Sequence, residues 1–356
     1  MSKRARVALV GAGKRARNFY APILSEMKDE FNLIGVNSRT KESRDKFAED
    51  FDIKSFDSIE QFKDENLDFV ICCVNPESVF DVIQRVSSMG IPMTIETPVV
   101  DERIVDIVNR EGLKISVVEQ WPLLPIEQFK KKVIDSGVLG KIIFVENDCR
   151  LFDYHGVATL RNYISKSSSP SLIFGLNHAS DIQINDSNYF ENWDLGLVKF
   201  TNGEILSHKF SYPCKKFNHR GIQSVRIIGE NGCLVTSCIK DLNNDFENID
   251  LSFNDGKVRN FTVSFNRDKE SSVTNWIKCE LSDKDIVWSN IFNDKYDISY
   301  NDHMVAIATH LINMKNQVCE SFFFESPYSV FDSYVDSIIV NGIKHSASTG
   351  SPIQFK

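Results

Sequence analysis

A chain of 356 residues corresponds to two domains on the usual scale of about 100–200 residues each. Its 42% hydrophobic content supplies a large core and excludes a disordered or fibrous protein. The net charge of −8 argues against non-specific nucleic-acid or anionic-membrane binding, since both partners select basic surfaces. No apolar run approaches the roughly 18 residues of a membrane-spanning helix. The eight cysteines are scattered without a Cys-x-x-Cys pair, and no signal-like apolar stretch follows Lys3-Arg4-Ala5-Arg6, so the cytoplasm is the expected compartment. With no His-x-x-x-His or paired-cysteine spacing, no metal is expected.

The apolar run Arg6 to Val10 leads into Gly11-Ala12-Gly13-Lys14-Arg15-Ala16, and Phe19, Ile23, Leu24 and Met27 follow at helical spacing. Strand, tight turn and helix are predicted. Gly11 permits the turn, Gly13 lets a pyrophosphate approach the backbone, and Ala16 lets helix pack on strand. A second strand, Phe31 to Val36, ends about 20 residues on, where a cofactor ribose lies in this motif. An acidic residue there would favour NAD. Asn37-Ser38-Arg39-Thr40 stands there instead, with donors suited to a 2′-phosphate, so NADP(H) is expected ahead of NAD(H).

Asp68 to Val74 is apolar enough for a central parallel strand, broken by Asn75-Pro76. A helix over 78–89 and a strand over 91–95 continue the βα alternation. That strand runs into Glu96-Thr97-Pro98, at the end of a parallel sheet where ligands collect. Glu119-Gln120-Trp121 closes this part of the chain, with Trp121 free to stack on a ring or pack in the core. From 142 to about 265, short alternating strands (142–145, 195–200, 205–210, 224–228, 261–265) are separated by the turns Asn202-Gly203, Glu230-Asn231-Gly232 and Asn254-Asp255-Gly256. They predict a largely antiparallel sheet. A helical run Val157 to Ile164 precedes a Ser-rich loop, Ser165 to Ser171. Helices near 300–316 and 327–346 are expected to pack back on the first domain, and Phe322-Phe323-Phe324 to be core or interface.

In the order of Gly11-Ala12-Gly13, Glu96-Thr97-Pro98, Ser136 to Lys141, Phe200 to Gly203, Val225 to Gly232 and Ser348 to Pro352, the chain resembles the glucose–fructose oxidoreductase / inositol dehydrogenase / MocA-like (Gfo/Idh/MocA) family. The resemblance implies an α/β protein: a Rossmann domain over 1–121, then an α/β domain over 122–356 built on an open, largely antiparallel sheet. It implies a homodimer or homotetramer formed through that sheet, and a small-molecule substrate lying between the domains. The cofactor contacts expected are Gly11, Ala12, Gly13, Lys14, Arg15, Asn37, Ser38, Arg39, Thr40, Val74, Asn75, Glu96, Thr97 and Gln120.

Family members generally carry Glu-Lys-Pro at 96–98 and a downstream Asp-x-x-x-His pair. Here Thr97 replaces the lysine, and with His178 on the family's histidine the aspartate position is Phe174. A threonine hydroxyl does not titrate near neutral pH, so proton transfer passes to other groups. His178, read as lying on a helix with Asp181 on the same face, is one candidate. Asp153-Tyr154-His155, read as an active-site loop, supplies Tyr154 and His155 as others. Glu119, Trp121, Arg161 and Asp181 are expected to face the substrate. The function expected is an NADP(H)-dependent oxidoreductase acting on a polar carbonyl or hydroxyl compound such as a sugar or nucleotide sugar. Imine reduction, and a cofactor-binding sensor that has lost catalysis, are the alternatives.

Overall fold

Burial runs unbroken along the first strands, as in β4 (Phe69–Cys72) and β6 (Ile115–Val118), and such strands are stable only with both sheet faces covered. The structure is a computed structural model that describes residues 3–151, 153–184, 186–217, 223–240, 245–254, 258–268, 273–281, 284–293, 295–296, 301–321 and 323–355. The chain divides into two compact units. The first comprises 1–124, 268–273 and 290–335, and the second 125–267, 274–289 and 336–356. The first unit therefore extends beyond Trp121 and takes in later segments.

In the first unit β1 (Ala5–Val10), α1 (Ala21–Glu26), β2 (Phe31–Asn37), α2 (Lys41–Phe51), β3 (Lys54–Phe56), β4, α3 (Pro76–Ser87), β5 (Met93–Glu96), α4 (Glu102–Glu111) and β6 follow one another. They form a six-stranded sheet of order β3-β2-β1-β4-β5-β6, with every pairing parallel. This is the doubly wound arrangement, whose strand order reverses beside β1. The late helix α8 (Asp302–Cys319) belongs to this unit: Met304, Ile307, Leu311 and Met314 share one core with Val7, Leu9, Ile23 and Leu24. Behind β5 and β6, Thr94 Oγ1 and Ser116 Oγ lie 2.9 and 3.2 Å from His310 Nε2, fully buried.

The second unit holds α5 (Pro125–Asp135), β7 (Ile142–Asp148), α6 (Asp153–Arg161), β8 (Pro170–Ile184), β9 (Ser187–Phe200), β10 (Ile205–Phe210), α7 (Tyr212–Lys216), β11 (Gln223–Gly229), β12 (Gly232–Lys240), β13 (Asp245–Asn254), β14 (Val258–Arg267), β15 (Thr274–Glu280), β16 (Asp285–Ser289), most of α9 (Val330–Thr349) and β17 (Ile353–Gln354). Ten of these strands and β17 make one sheet, antiparallel except where β10 lies parallel to β7. Burial alternates along β11 and β16, the period-2 signature of a sheet with one face packed.

Gly175 on β8 pairs with Gly196 on β9, and both face α9. A Cβ on Gly175 would lie 1.9 Å from the Ile343 carbonyl oxygen, and one on Gly196 would lie 2.2 Å from the Ile343 side chain. Only glycine permits so close an approach of helix to sheet. The Gly175 amide donates to Ser346 Oγ at 2.9 Å, so the helix also satisfies a group near the sheet edge.

Several expectations change. The helix expected around His178 is β8, because the segment pairs along its whole length with β9. Asp153, Tyr154 and His155 form the first turn of α6 rather than a loop. Strands β12, β13, β15 and β16 went unread. The Ser-rich loop is pinned, with Ser168 Oγ donating to Glu204 and accepting from the Asn202 amide. Phe323 is exposed while Phe324 packs on the first core; Phe322 and the turn residues Asp255 and Gly256 lie outside the described residues.

Candidate functional site

At the carboxyl end of β1 the chain turns through Gly11, whose φ of +109° suits glycine and whose Cβ would lie 2.5 Å from the Cys73 carbonyl oxygen. The Gly11 amide donates to the Asn37 carbonyl at 2.8 Å, tying this loop to β2. Gly13 is different: a Cβ there would meet no atom within 4 Å. Gly13 is exposed at the start of the helical segment, where unpaired amides and the helix dipole favour an anion. An open turn of this shape between strand and helix fits a dinucleotide.

The helical segment opens with a π-turn over Ala16–Tyr20, in which the Ala21 amide reaches the Ala16 carbonyl five residues back. That register brings residues five apart toward one face. Arg15 and Tyr20 consequently converge on Glu96 at the end of β5. Arg15 Nε donates to Glu96 Oε1 at 2.6 Å, the Tyr20 hydroxyl donates to the same oxygen, and Arg15 Nη2 donates to Gln120 Oε1 at 3.1 Å. Burial works against the Arg15 charge, but Tyr20 and Glu96 outweigh it and raise its pKa. Burial, then the Glu96 charge, pushes the Tyr20 phenol well above its ordinary value, so Tyr20 acts as a neutral donor. Tyr20 was missed in the sequence because α-helical spacing places it on a different face from Arg15.

Beyond β2, Ser38 is half-buried, and Arg39 and Thr40 are exposed. Arg39 has no ion-pair partner among the described residues. The side chain of Asn37, by contrast, is buried and donates to the Phe56 carbonyl at 2.8 Å, which makes it a clamp between β2 and β3. Lys14 is exposed, Ala12 is buried, Val74 is half-buried, and Asn75 is exposed at the start of α3.

Thr97 lies between Glu96 and Pro98, across a cis Thr97–Pro98 bond, and lines an open cleft of about 400 Å³ with Val74, Pro76, Glu96, Pro98 and Asp101. Glu119 and Gln120 are buried at the end of β6; Glu119 Oε1 accepts from the Trp121 amide at 3.1 Å. The Trp121 ring meets His303 of the same unit edge-on, at 5.0 Å between centroids.

In the second unit, Tyr154 is half-buried with its ring 4.3 Å from that of His155, which is buried. Arg161 forms an ion pair with buried Asp336 at 2.5 Å. His178 and Asp181 are both exposed on β8, opposite Trp193 and Phe190. Three residues apart on a strand they point to opposite sheet faces, so Asp181 does not orient the His178 ring as a shared helical face would have allowed.

Residues 5–118 match the family described as "Oxidoreductase family, NAD-binding Rossmann fold" (GFO_IDH_MocA). The uncharacterized protein YMR315W of Saccharomyces cerevisiae is 27% identical over 146 residues, 38% of this chain and 41% of that protein. The chain thus spans about two fifths of the curated relative it matches. Among solved structures, an oxidoreductase from Agrobacterium radiobacter in complex with NAD+, L-tartaric acid and magnesium is similar with a TM-score of 0.68 at 13% identity, over 99% of this chain and 98% of that one. The WlbA dehydrogenase from Bordetella pertussis, in complex with NADH and UDP-GlcNAcA, is similar with a TM-score of 0.67 at 15% identity, over 100% and 99%. These likenesses concern the fold. Residues 5–118, with the glycine turn they contain, thus match the NAD-binding Rossmann domain of the Gfo/Idh/MocA oxidoreductase family.

Proposed function

We propose that the chain is an NADP(H)-dependent oxidoreductase that exchanges a hydride with the carbonyl or hydroxyl carbon of a polar metabolite, a sugar, nucleotide sugar or related polyol. The carrying observation is the open cradle at Gly13 beside a Glu96 carboxylate fixed by Arg15 and Tyr20. The nicotinamide supplies the hydride when bound. The phosphate preference rests on the end of β2, where residues 37–40 hold no carboxylate and Arg39 stands exposed with no ion-pair partner among the described residues.

Thr97 cannot carry the proton, and Tyr154 with His155 at the start of α6 is the pair of side chains proposed to supply it. Reduction of a C=N bond is the second reading, favoured by the same Thr97, because a protonated imine brings its own proton. A second copy of the chain is proposed to cover the exposed apolar side chains Phe174, Leu176, Leu197 and Ile205 on β8, β9 and β10. Sedimentation of the purified chain tests that, and a monomer at all concentrations refutes it.

Dissociation constants for NADPH and NADH, with the loss of reduced-nicotinamide absorbance followed across sugars, ketoacids and imines, test the main reading. Tighter NADPH binding, weakened selectively in Arg39→Ala, is the expected result. Equal constants refute the NADP(H) preference. Tight NADPH binding without turnover of any substrate replaces the enzyme with a cofactor-binding sensor.

A further inference from the structure

We infer that the free edge of β8, from Leu176 to Ile182, is a docking surface for the same strand of a second copy of the chain, the two strands running antiparallel about a two-fold axis at Ala179. The β8–β9 hairpin outruns its sheet. β10 pairs with β9 only from Asp194 onward, and β17 pairs with β8 only at Leu172 and Ile173. Between those limits and the hairpin turn, β8 and β9 pair only with each other among the described residues. A two-stranded ribbon is marginal in water by itself, and its open edge is a template for another strand.

Two contacts fix which backbone groups point outward. The Phe355 amide, just beyond β17, donates to the Ser171 carbonyl, and the Gly175 amide donates to Ser346 Oγ on α9. Outward groups therefore fall on odd-numbered residues, since hydrogen-bonding direction alternates along a strand. No register shift interrupts the pairing with β9 from Leu172 to Ile184. The N–H groups of Asn177, Ala179 and Asp181 consequently face away from β9, and no acceptor among the described residues meets them. All three residues are exposed.

The sequence along this edge, Leu176-Asn177-His178-Ala179-Ser180-Asp181-Ile182, complements itself when a second copy runs the other way. With Ala179 opposite Ala179, the Asn177 carboxamide of each copy faces the Asp181 carboxylate of the other, a donor against an acceptor. On the opposite face of the ribbon Leu176 meets Ile182, and His178 meets Ser180. Leu176, 56% exposed in the single chain, gains an apolar neighbour. Three outward residues on each copy exchange about six main-chain hydrogen bonds.

Sliding by two residues in either direction sets Asp181 against Ala179 or Gly175, which offer its carboxylate no side-chain donor, and sets His178 against Ile182 or against itself. Pairing ends at Leu176 because the next outward amide, that of Gly175, is held by α9. An unrelated extended peptide would satisfy the backbone without this pattern of side chains, so the edge fits a second copy best. The pairing joins sheet edges, and it is independent both of the covering of Phe174, Leu197 and Ile205 proposed above and of the oxidoreductase reading.

Sedimentation equilibrium of the full chain and of three variants tests the pairing. Ala179→Pro removes the axial N–H and puts a ring in the path of the other strand, while the bonds to β9, made by even-numbered residues, remain. The sedimenting mass should fall, with far-UV circular dichroism unchanged. Ala179→Lys and Ala179→Glu each set like charges directly opposite, with Cα atoms about 5.5 Å apart, and each should weaken association about fivefold. An equimolar mixture of the two should restore it, because lysine then faces glutamate. If proline disturbs the hairpin, the charged pair decides alone. A parent chain that is monomeric at all concentrations overturns the inference. Association that Ala179→Pro leaves intact belongs to the sheet face and overturns it too, as does a mixture that associates no more tightly than either charged variant by itself.

Discussion

The phenol of Tyr20 donates to the carboxylate of Glu96, joining a π-turn after the first strand to the end of the fifth. Since the same Glu96 oxygen also takes Arg15, removing the phenol leaves the carboxylate paired but less fixed. Tyr20→Phe should weaken cofactor binding about fivefold, the equivalent of one hydrogen bond of about 1 kcal/mol. Fluorescence titration with NADPH checks this, and an unchanged constant means the Glu96 clamp has no bearing on the cofactor.

The two glycines of the turn should respond in opposite ways. Gly11→Ala places a Cβ against the Cys73 carbonyl at a positive φ, so it should destabilise the fold by about 2 kcal/mol or more. Gly13→Ala meets no protein atom, so the apo chain should keep its stability to within about 0.5 kcal/mol while NADPH affinity falls steeply. Urea denaturation of the apo protein beside a cofactor titration separates them.

Acid should destabilise the chain through His208 and His310. Burial lowers the pKa of each from 6.5 to about 4. The unfolded chain thus takes up a proton at each site before the folded chain does. Their contribution is complete above pH 6.5 and drains away as pH falls toward 4, about 3 kcal/mol for each ring. His310→Gln should flatten roughly half of this slope in urea midpoints measured between pH 7 and 4. An unaltered slope would place the lost stability on other groups.

Thr97→Lys returns a titratable amine to the cleft beside Glu96. With a polyol substrate, kcat should change by about tenfold or more, and the pH–rate profile should acquire a limb that the parent chain lacks. Unchanged turnover together with unchanged NADPH binding would remove position 97 from the chemistry.

The parallel half of the fold was legible because its signals are local: apolar runs such as Val7 to Val10, the glycines that follow, and the helical spacing beyond them. Legibility ended where distant partners decide. Leu172 to Asp181 carries no strong period of its own, and its pairing with β9 outweighed the helix that family resemblance suggested. The ion pair of Arg161 with Asp336 could not be read because 175 residues separate the two. The Arg15–Glu96–Tyr20 contact was hidden twice, by a separation of 76 residues and by a helical register that spacing does not announce.

Where Gly175 and Gly196 let α9 rest on the sheet, the order of synthesis acquires meaning. Both glycines leave the ribosome long before Ile343 and Ser346, the residues that cover them. Until those last residues emerge, the β8–β9 hairpin has an uncovered strip of backbone and an unsatisfied Gly175 amide. Contacts of such long sequence separation form slowly, and exposed strands of this kind invite association with other chains. The nascent second unit would depend on chaperone protection until its C-terminal helix arrives, whereas β1 to β6 need no such wait to pair with one another.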